Sequence, residues 1–338
     1  MSKYTVAVVG ATGVVGKELI KTLEERKFPV KTLKPLASER SVGTYVSFHG
    51  DPVDVLLCEE SAFDGVDIAL FSAGSSVSKE FCPIAAKKGV ICIDNTSFFR
   101  MDDDVPLVVP EVNPEALKNH KNIIANPNCS TAQLVLALKP LHDAATIKRI
   151  VVSTYQSVSG AGKDAMDELE GQSRANLSGQ NMAPKAFTHP IAFNAIPKID
   201  DFLENGYTKE EMKMMNETKK ILGDDSVQMT ATTVRVPVFV SHSESVNVQT
   251  ERKISPTEFK SLLETFPGVQ VQDDPSENLF PTPRDAAGMD DVFVGRIRED
   301  VSIDNGQHLF GTEMLETSLY FEVFIGMFGQ EIKGQSFF

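Results

Sequence analysis

Two textures alternate over the first 128 residues. Short apolar runs rich in β-branched residues occur at 4–9 "YTVAVV", 66–74 "VDIALFSAG" and 90–97 "VICIDNTS". Between them, apolar residues recur every three or four positions, as in 17–28 "KELIKTLEERKF" and 75–89 "SSVSKEFCPIAAKKG". The first texture predicts buried strands, the second amphipathic helices. Further strands are expected at 32–37 "TLKPLA" and 53–60 "VDVLLCEE", with 104–113 "DVPLVVPEVN" and 121–128 "KNIIANPN" continuing the alternation. Strands alternating with helices predict a doubly wound, mostly parallel α/β sheet.

The texture changes after residue 128. A helix is predicted from Cys129, with Leu134, Leu138 and Leu141 on one face of "CSTAQLVLALKPL". A β-rich run follows at 147–160, and 160–195 reads as loop because of its Gly, Asn, Pro and Ser content. Helices are expected at 208–223 and at 255–268, the latter opened by a Ser255/Glu258 capping pattern. Residues 228–251 read as one long strand or two, and 292–302 as another. This predicts a mixed α+β second domain, with the boundary between 128 and 129 and no internal repeat or low-complexity linker.

Composition narrows the class. The 338-residue chain is 41% hydrophobic and 24% charged, within the range of a globular protein of about two domains. No apolar run reaches the roughly 18 residues of a membrane span, and the N-terminus enters a strand at once, so no signal peptide is expected. The four cysteines (58, 82, 92, 129) have no metal-ligand spacing, so no metal is expected, and the reducing cytoplasm is the simplest setting. The formal net charge of −14 comes without a dense Lys/Arg cluster, which argues against nucleic acid as a partner. Any anionic ligand must be held by helix N-termini, glycine loops and a few placed cations.

Two segments carry candidate chemistry. Gly10-Ala-Thr-Gly13-Val-Val-Gly16 follows a strand and opens a helix, so Gly10, Thr12, Gly13, Val14, Val15 and Gly16 could cradle a dinucleotide pyrophosphate. The alternative is a purely structural turn, since the spacing is GxxGxxG. At the end of the next strand, Ser38, Arg40 and Ser41 suit a 2′-phosphate and favour NADP, while Glu39 competes because it could serve a free ribose. In "NPNCST", Pro127 disfavours helix at Asn126 and Asn128 is a candidate N-cap. Cys129 would then sit at a helix N-terminus, which favours a thiolate. A small buried packing residue is the other reading of Cys129, and packing is the expected role of cysteines 58, 82 and 92.

Ten segments in order ("GATGVVG", "LASERS", "FSAGSSVSK", "DNTSFFRM", "VVPEVN", "NPNCST", "STYQSVSGAG", "FNAIP", "EEMKMMNETKKIL", "TTVRVPVFVSHSESV") resemble the aspartate-β-semialdehyde dehydrogenase family over roughly residues 4–309. The resemblance implies a Rossmann-like NADP domain at 1–128, completed by 311–338, and a catalytic and dimerisation domain at 129–310. It implies reversible, NADP-dependent conversion of L-aspartate 4-semialdehyde and phosphate to β-aspartyl phosphate. In cells this runs toward the semialdehyde, feeding lysine (through diaminopimelate), methionine, threonine and isoleucine. A homodimer or homotetramer is implied. The rival within the same fold plan is N-acetyl-γ-glutamyl-phosphate reductase.

By the same resemblance Cys129 is the nucleophile, a role thiolate suits because it can carry both a thiohemiacetal and a thioester. His242 matches the acid/base residue and Gln156 the residue that orients substrate. Arg235 would clamp the α-carboxylate, Glu210 the amino group, and Lys213 and Arg100 the phosphate, with Asn128 beside the nucleophile. Without the resemblance, His242 reads as a surface histidine, and Glu210 with Lys213 as a solvated helix pair. Ser72, Ala73, Gly74 and Asn95, at strand ends, should line the cofactor groove. Ser159 and Gly160, in a flexible "SVSGAGK", should close on the nicotinamide side. Arg235 and His242 are seven apart, so a continuous strand would put them on opposite faces; a bulge or turn must intervene.

The resemblance stops near Phe310. Instead of the family's Lys-Gly-Ala-Ala segment and final helix the chain reads "GTEMLETSLYFEVFIGMFGQEIKGQSFF". A frameshift near codon 311 or an altered terminus would explain so abrupt a loss, and a naturally divergent tail is the alternative. Weaker NADP binding and lower stability are the expected consequences, with the cysteine chemistry intact.

Overall fold

The computed structural model describes residues 4–313, so the tail at 314–338 and its expected effects lie outside the described residues. The described residues divide into two compact units, 4–128 and 129–313.

In the first unit the strands are β1 (Tyr4–Val9), β2 (Val30–Ala37), β3 (Tyr45–Phe48), β4 (Asp51–Asp54), β5 (Leu56–Leu57), β6 (Ile68–Phe71), β7 (Ile91–Asp94) and β8 (Ile123–Ala125). Its α-helices are α1 (Val14–Glu25) and α2 (Ser75–Lys87). Six strands pair in the order β5-β2-β1-β6-β7-β8, all parallel, and β3 and β4 form a separate antiparallel hairpin. Val6, Val8, Leu19, Ile20, Leu23, Ile68, Leu70 and Ile93 fill one core between sheet and helix, which is why β1 and β6 read as near-continuous apolar runs. The "VDVLLCEE" run splits into β4 and β5. The run at 104–113 forms only an isolated bridge, Leu107 to Ala125, because Pro106 and Pro110 have no N–H to extend a ladder.

The second unit begins at α3 (Cys129–Ala145), followed by β9 (Ile147–Gln156), α4 (Lys163–Leu177), α5 (Lys209–Leu222), β10 (Gln228–Arg235), β11 (His242–Thr250), α6 (Pro256–Glu264), β12 (Val269–Val271), α7 (Pro283–Ala286), β13 (Val292–Asp300) and β14 (Gly306–Glu313). Its mixed sheet runs β10-β9-β11-β14-β13-β12. Helix α3 is buried on nearly every side, the behaviour of a central helix; Leu134, Leu138 and Leu141 are fully enclosed. Residues 311–313 complete β14, so the second unit runs past the point where the family resemblance ends.

One expectation is corrected. Residues 163–177, read as loop, form α4. Its buried stripe is Ala165, Glu168, Leu169 and Gln172, correctly spaced for a helix but half polar, which hides the apolar period. The polar half has a function in the fold. Glu168 Oε2 accepts the N–H groups of Lys185 and Ala186, both at 2.6 Å, and Gln172 Oε1 accepts those of Ile191 and Ala192. The helix thus satisfies the backbone of the loop laid over it.

Candidate active site

The strand order of the first unit reverses at β1, and ligands bind such sheets at the carboxyl ends of the strands beside the reversal. The expected cofactor residues gather there. Gly10–Gly16 follows β1, Ser38–Ser41 follows β2, Ser72–Gly74 follows β6 and Asn95 follows β7. Gly10 has φ +90, and a Cβ on it would lie 2.9 Å from the Ser72 carbonyl oxygen. A Cβ on Gly16 would lie 2.1 Å from the Gly10 carbonyl oxygen, so only glycine permits the turn to fold against α1. Gly13 is the N-cap of α1, and Val14 and Val15 open it with N–H groups toward the helix start. Thr12 Oγ1 lies 3.2 Å from Ser41 Oγ, which joins the glycine loop to the end of β2; Ser38 and Arg40 are exposed beside it. A glycine cradle, a helix N-terminus and an exposed arginine fit a dinucleotide. Arg100 is buried in this unit and donates from Nη2 to the Asn95 carbonyl at 2.7 Å. Asn128 is buried at its end.

The remaining expected residues converge in the second unit. Cys129 is the first residue of α3, half-buried, while the three other cysteines lie in the first unit. Of these, Cys82 and Cys92 are fully buried, and burial lifts the Cys58 thiol to about 11, which keeps it protonated. Gln156, at the end of β9, donates from Nε2 to Ser130 Oγ at 2.8 Å and to Glu210 Oε1 at 3.5 Å. Helix α5 is fixed by a Thr208–Glu211 capping box, which presents Glu210 and Lys213 one turn apart. Lys213 Nζ lies 3.4 Å from Glu210 Oε2 and 2.8 Å from Asp200 Oδ2. Burial pulls the Lys213 pKa down, but Glu210 and Asp200 outweigh it and hold the pKa above the ordinary lysine value.

Arg235 and His242 meet because 228–251 is two strands joined by 236–241. Val158 N–H donates to the Val238 carbonyl and Ser159 N–H to the Phe239 carbonyl, so the connection runs beside 157–159 before β11 begins. Ser241 adopts φ +75 immediately before His242, a turn that lets β11 start on a new face. The Ser157 main chain then holds both side chains. Its carbonyl accepts from Arg235 Nη1 at 2.6 Å, and its N–H donates to His242 Nδ1 at 3.1 Å. Arg235 is buried and interacts electrostatically with Cys129 and Glu210; burial lowers its pKa, yet a guanidinium stays charged. His242 is buried too. Desolvation, then repulsion from Arg235, drops its pKa to about 3.

The 157–163 segment is therefore more tied down than its sequence suggests. Ser159 is buried, and a Cβ on Gly160 would lie 3.1 Å from His242 Nε2 and 3.2 Å from Arg235 Nη1. Gly160 thus packs against the arginine–histidine pair. Sequence reasoning missed Ser130, Ser157 and Asp200. The first two adjoin predicted residues, but Asp200 is thirteen positions from Lys213 and carries no signal. Among the described residues no group of three His, Cys, Asp or Glu could hold a metal ion, and no helix is long and apolar enough to cross a membrane.

Comparison with known proteins accords with this geometry. The family model for the semialdehyde dehydrogenase NAD binding domain matches residues 5–120, and that for the semialdehyde dehydrogenase dimerisation domain matches 138–313. The aspartate-semialdehyde dehydrogenase of Aquifex aeolicus is 56% identical over 308 residues, 90% of each chain. That of Bacillus subtilis is 53% identical over 313 residues, again 90% of each. The crystal structure of aspartate semialdehyde dehydrogenase II from Vibrio cholerae matches with a TM-score of 0.94 and 47% identity, over 99% of this chain and 100% of that one. A second crystal structure of that enzyme, complexed with ASA, matches equally well over the whole of both chains.

Proposed function

The chain belongs to the aspartate-semialdehyde dehydrogenase family, and from that premise we propose that it interconverts L-aspartate 4-semialdehyde and β-aspartyl phosphate through a thioester on Cys129, with NADP as cofactor. The observation that carries the reading is the convergence within one unit of a cysteine at a helix start, a clamped arginine–histidine pair and a Glu–Lys pair linked through Gln156.

Each group has a chemical task. The Arg235 charge and the α3 N-terminus favour a thiolate at Cys129. Arg235 presents a planar fork suited to the substrate α-carboxylate, and Glu210 a carboxylate suited to its ammonium. Lys213, with Arg100 and Asn128, serves the phosphate. Gln156 positions the acyl group over Cys129, and His242 meets its carbonyl oxygen. In the reductive direction the thiolate attacks the acyl carbon, the bond to phosphate breaks, and a thioester remains. A dinucleotide bound there would supply the hydride that takes this thioester to the aldehyde level. Gly10, Thr12, Gly13, Val14, Val15 and Gly16 would hold its pyrophosphate, with Ser72, Ala73, Gly74, Asn95, Ser159 and Gly160 along its remainder. Ser38, Arg40 and Ser41 are assigned to a 2′-phosphate, which favours NADP over NAD.

A homodimer or homotetramer completes the proposal. The sheet face opposite α3 leaves Tyr155 40% exposed, with its ring 6.2 Å from that of Phe310. An aromatic pair on an open sheet face suits pairing with a second copy.

The test is NADPH formation from L-aspartate 4-semialdehyde and NADP+, with and without phosphate, beside a Cys129→Ser variant. Phosphate-dependent activity that vanishes in the variant is expected. Turnover that ignores phosphate, or that survives the substitution, would overturn the reading.

A further inference from the structure

We propose that Glu211 is a positioning residue: its carboxylate fixes the separation of Glu210 and Arg235, and with it the preference of the site for a substrate bearing an α-amino acid end. This rests on the reading of Arg235 and Glu210 as partners of the α-carboxylate and the ammonium.

Helix α5 carries two adjacent glutamates that face different ways, since successive side chains on a helix project about 100° apart. Glu210 faces Gln156, whose Nε2 lies 3.5 Å from its Oε1. Glu211 faces the helix start and β10. Its Oε2 accepts the Thr208 N–H at 2.7 Å, one half of the capping box. Its Oε1 accepts the Thr233 N–H at 3.0 Å. The first bond serves the helix. The second leaves it for a strand, at a point two residues before Arg235.

Strand β10 ends the mixed sheet, with β9 on one side of it. On that side the Val236 N–H donates to the Gln156 carbonyl at 3.0 Å. The N–H groups of Thr233 and Arg235 alternate with it and point to the open edge. Buried donors there need acceptors. The Ile196 carbonyl takes the Arg235 N–H at 2.9 Å, and Glu211 takes the Thr233 N–H. Thr233 and Glu211 are both buried, so a donor stranded at this place is costly.

One carboxylate thus clamps the helix that presents Glu210 to the strand that presents Arg235. Those two groups lie close enough to interact electrostatically. An α-amino acid carries its ammonium and carboxylate on one carbon, so the groups that read them must keep one spacing. A misplacement of about 1 Å can cost about 100-fold in rate.

The double contact requires glutamate. It offers two acceptor oxygens to two N–H donors, whereas glutamine has one acceptor and would set its NH2 against the other donor. Aspartate keeps both oxygens on a side chain one methylene shorter, which draws them back from β10. A residue that only capped α5 would need no reach to the strand.

The test compares turnover of L-aspartate 4-semialdehyde with that of 4-oxobutanoate, the same aldehyde without its amino group, in the presence of NADP+ and phosphate. The ratio of the two kcat/KM values is read within one preparation, so unfolded chain cancels. Glu211→Gln and Glu211→Asp should each cut the preference for the amino substrate by about tenfold or more. Thr208→Ala weakens the same cap but leaves the β10 contact, so it should lower Tm and hold the ratio within about twofold. An unchanged ratio in either folded Glu211 variant, or an equal fall in Thr208→Ala, would overturn the proposal. Amide hydrogen exchange of the unaltered chain needs no variant: the Thr233 N–H should be as protected as that of Val236, and rapid exchange would overturn the clamp. A wild-type chain that turns over neither compound, or both alike, would overturn the assignment of Glu210 and Arg235 and the proposal with it; a wild-type preference that survives in the Glu211 variants overturns the proposal alone.

Discussion

The Gln156 side-chain amide donates to the Ser130 hydroxyl at 2.8 Å, which ties the last residue of β9 to the residue that follows Cys129. The position of Cys129, the proposed nucleophile, at the start of α3 is thus referenced to the sheet of the second unit. Both groups are buried, so removing the amide costs the hydroxyl a hydrogen bond in a place water does not reach. Gln156→Ala should lower kcat by about 100-fold through misplacement of the reacting groups, while Cys129 remains titratable by a thiol reagent. Steady-state kinetics beside thiol labelling check this; near wild-type kcat would remove Gln156 from the site.

Lys213 is held between Asp200 and Glu210. Its assigned role is to meet the phosphate, and a hydrogen bond to a charged group contributes about 1.5–3 kcal/mol. Lys213→Ala should therefore raise the KM for phosphate by roughly 10- to 100-fold. The KM for the dinucleotide should stay close to wild type. A selective rise for the dinucleotide instead would move Lys213 to the other ligand.

Gly160 is close enough to Arg235 and His242 that a single methyl requires both to give by a few tenths of an ångström. Gly160→Ala should cut kcat by about tenfold with little change in thermal stability, because Gly160 itself is exposed while the side chains it would displace are proposed to meet the substrate. Parallel kinetics and melting curves decide it. A large stability loss with normal specific activity would show that the glycine serves folding alone.

Acid sensitivity follows from His242. The folded ring stays neutral down to about 3, whereas an unfolded histidine protonates near its ordinary value of about 6.5. Between those values the unfolded chain binds more protons, so stability falls as pH falls through that window, by up to about 1.4 kcal/mol per pH unit for one proton. In urea unfolding across about pH 5 to about pH 7, His242→Gln should show a shallower acid limb. An unchanged slope would mean that the ring is not held neutral.

Arg40, proposed to hold the 2′-phosphate, is exposed beside the Thr12–Ser41 contact. Arg40→Ala should weaken NADP binding by roughly 10- to 100-fold and leave NAD binding within about twofold, since only the 2′-phosphate loses a charged partner. Fluorescence titration with both dinucleotides checks this; equal losses would place Arg40 elsewhere on the cofactor.

The sequence by itself determined the strand–helix alternation of the first unit, because β1, β6 and α1 each carry an undiluted hydrophobic period. It also determined the glycine loop and the placing of Cys129 at a helix start, since both depend on neighbours within a few residues. Helix α4 escaped it, because half of that helix's buried stripe is Glu168 and Gln172, whose acceptors matter only once the 185–192 loop lies over them. Only tertiary structure decided the reactive geometry. Asp200 reaches Lys213 across thirteen residues, and the main-chain N–H and carbonyl of Ser157 hold His242 and Arg235 from 85 and 78 positions away. Periodicity reports which face of an element avoids water. It does not report which distant polar group will satisfy a buried donor.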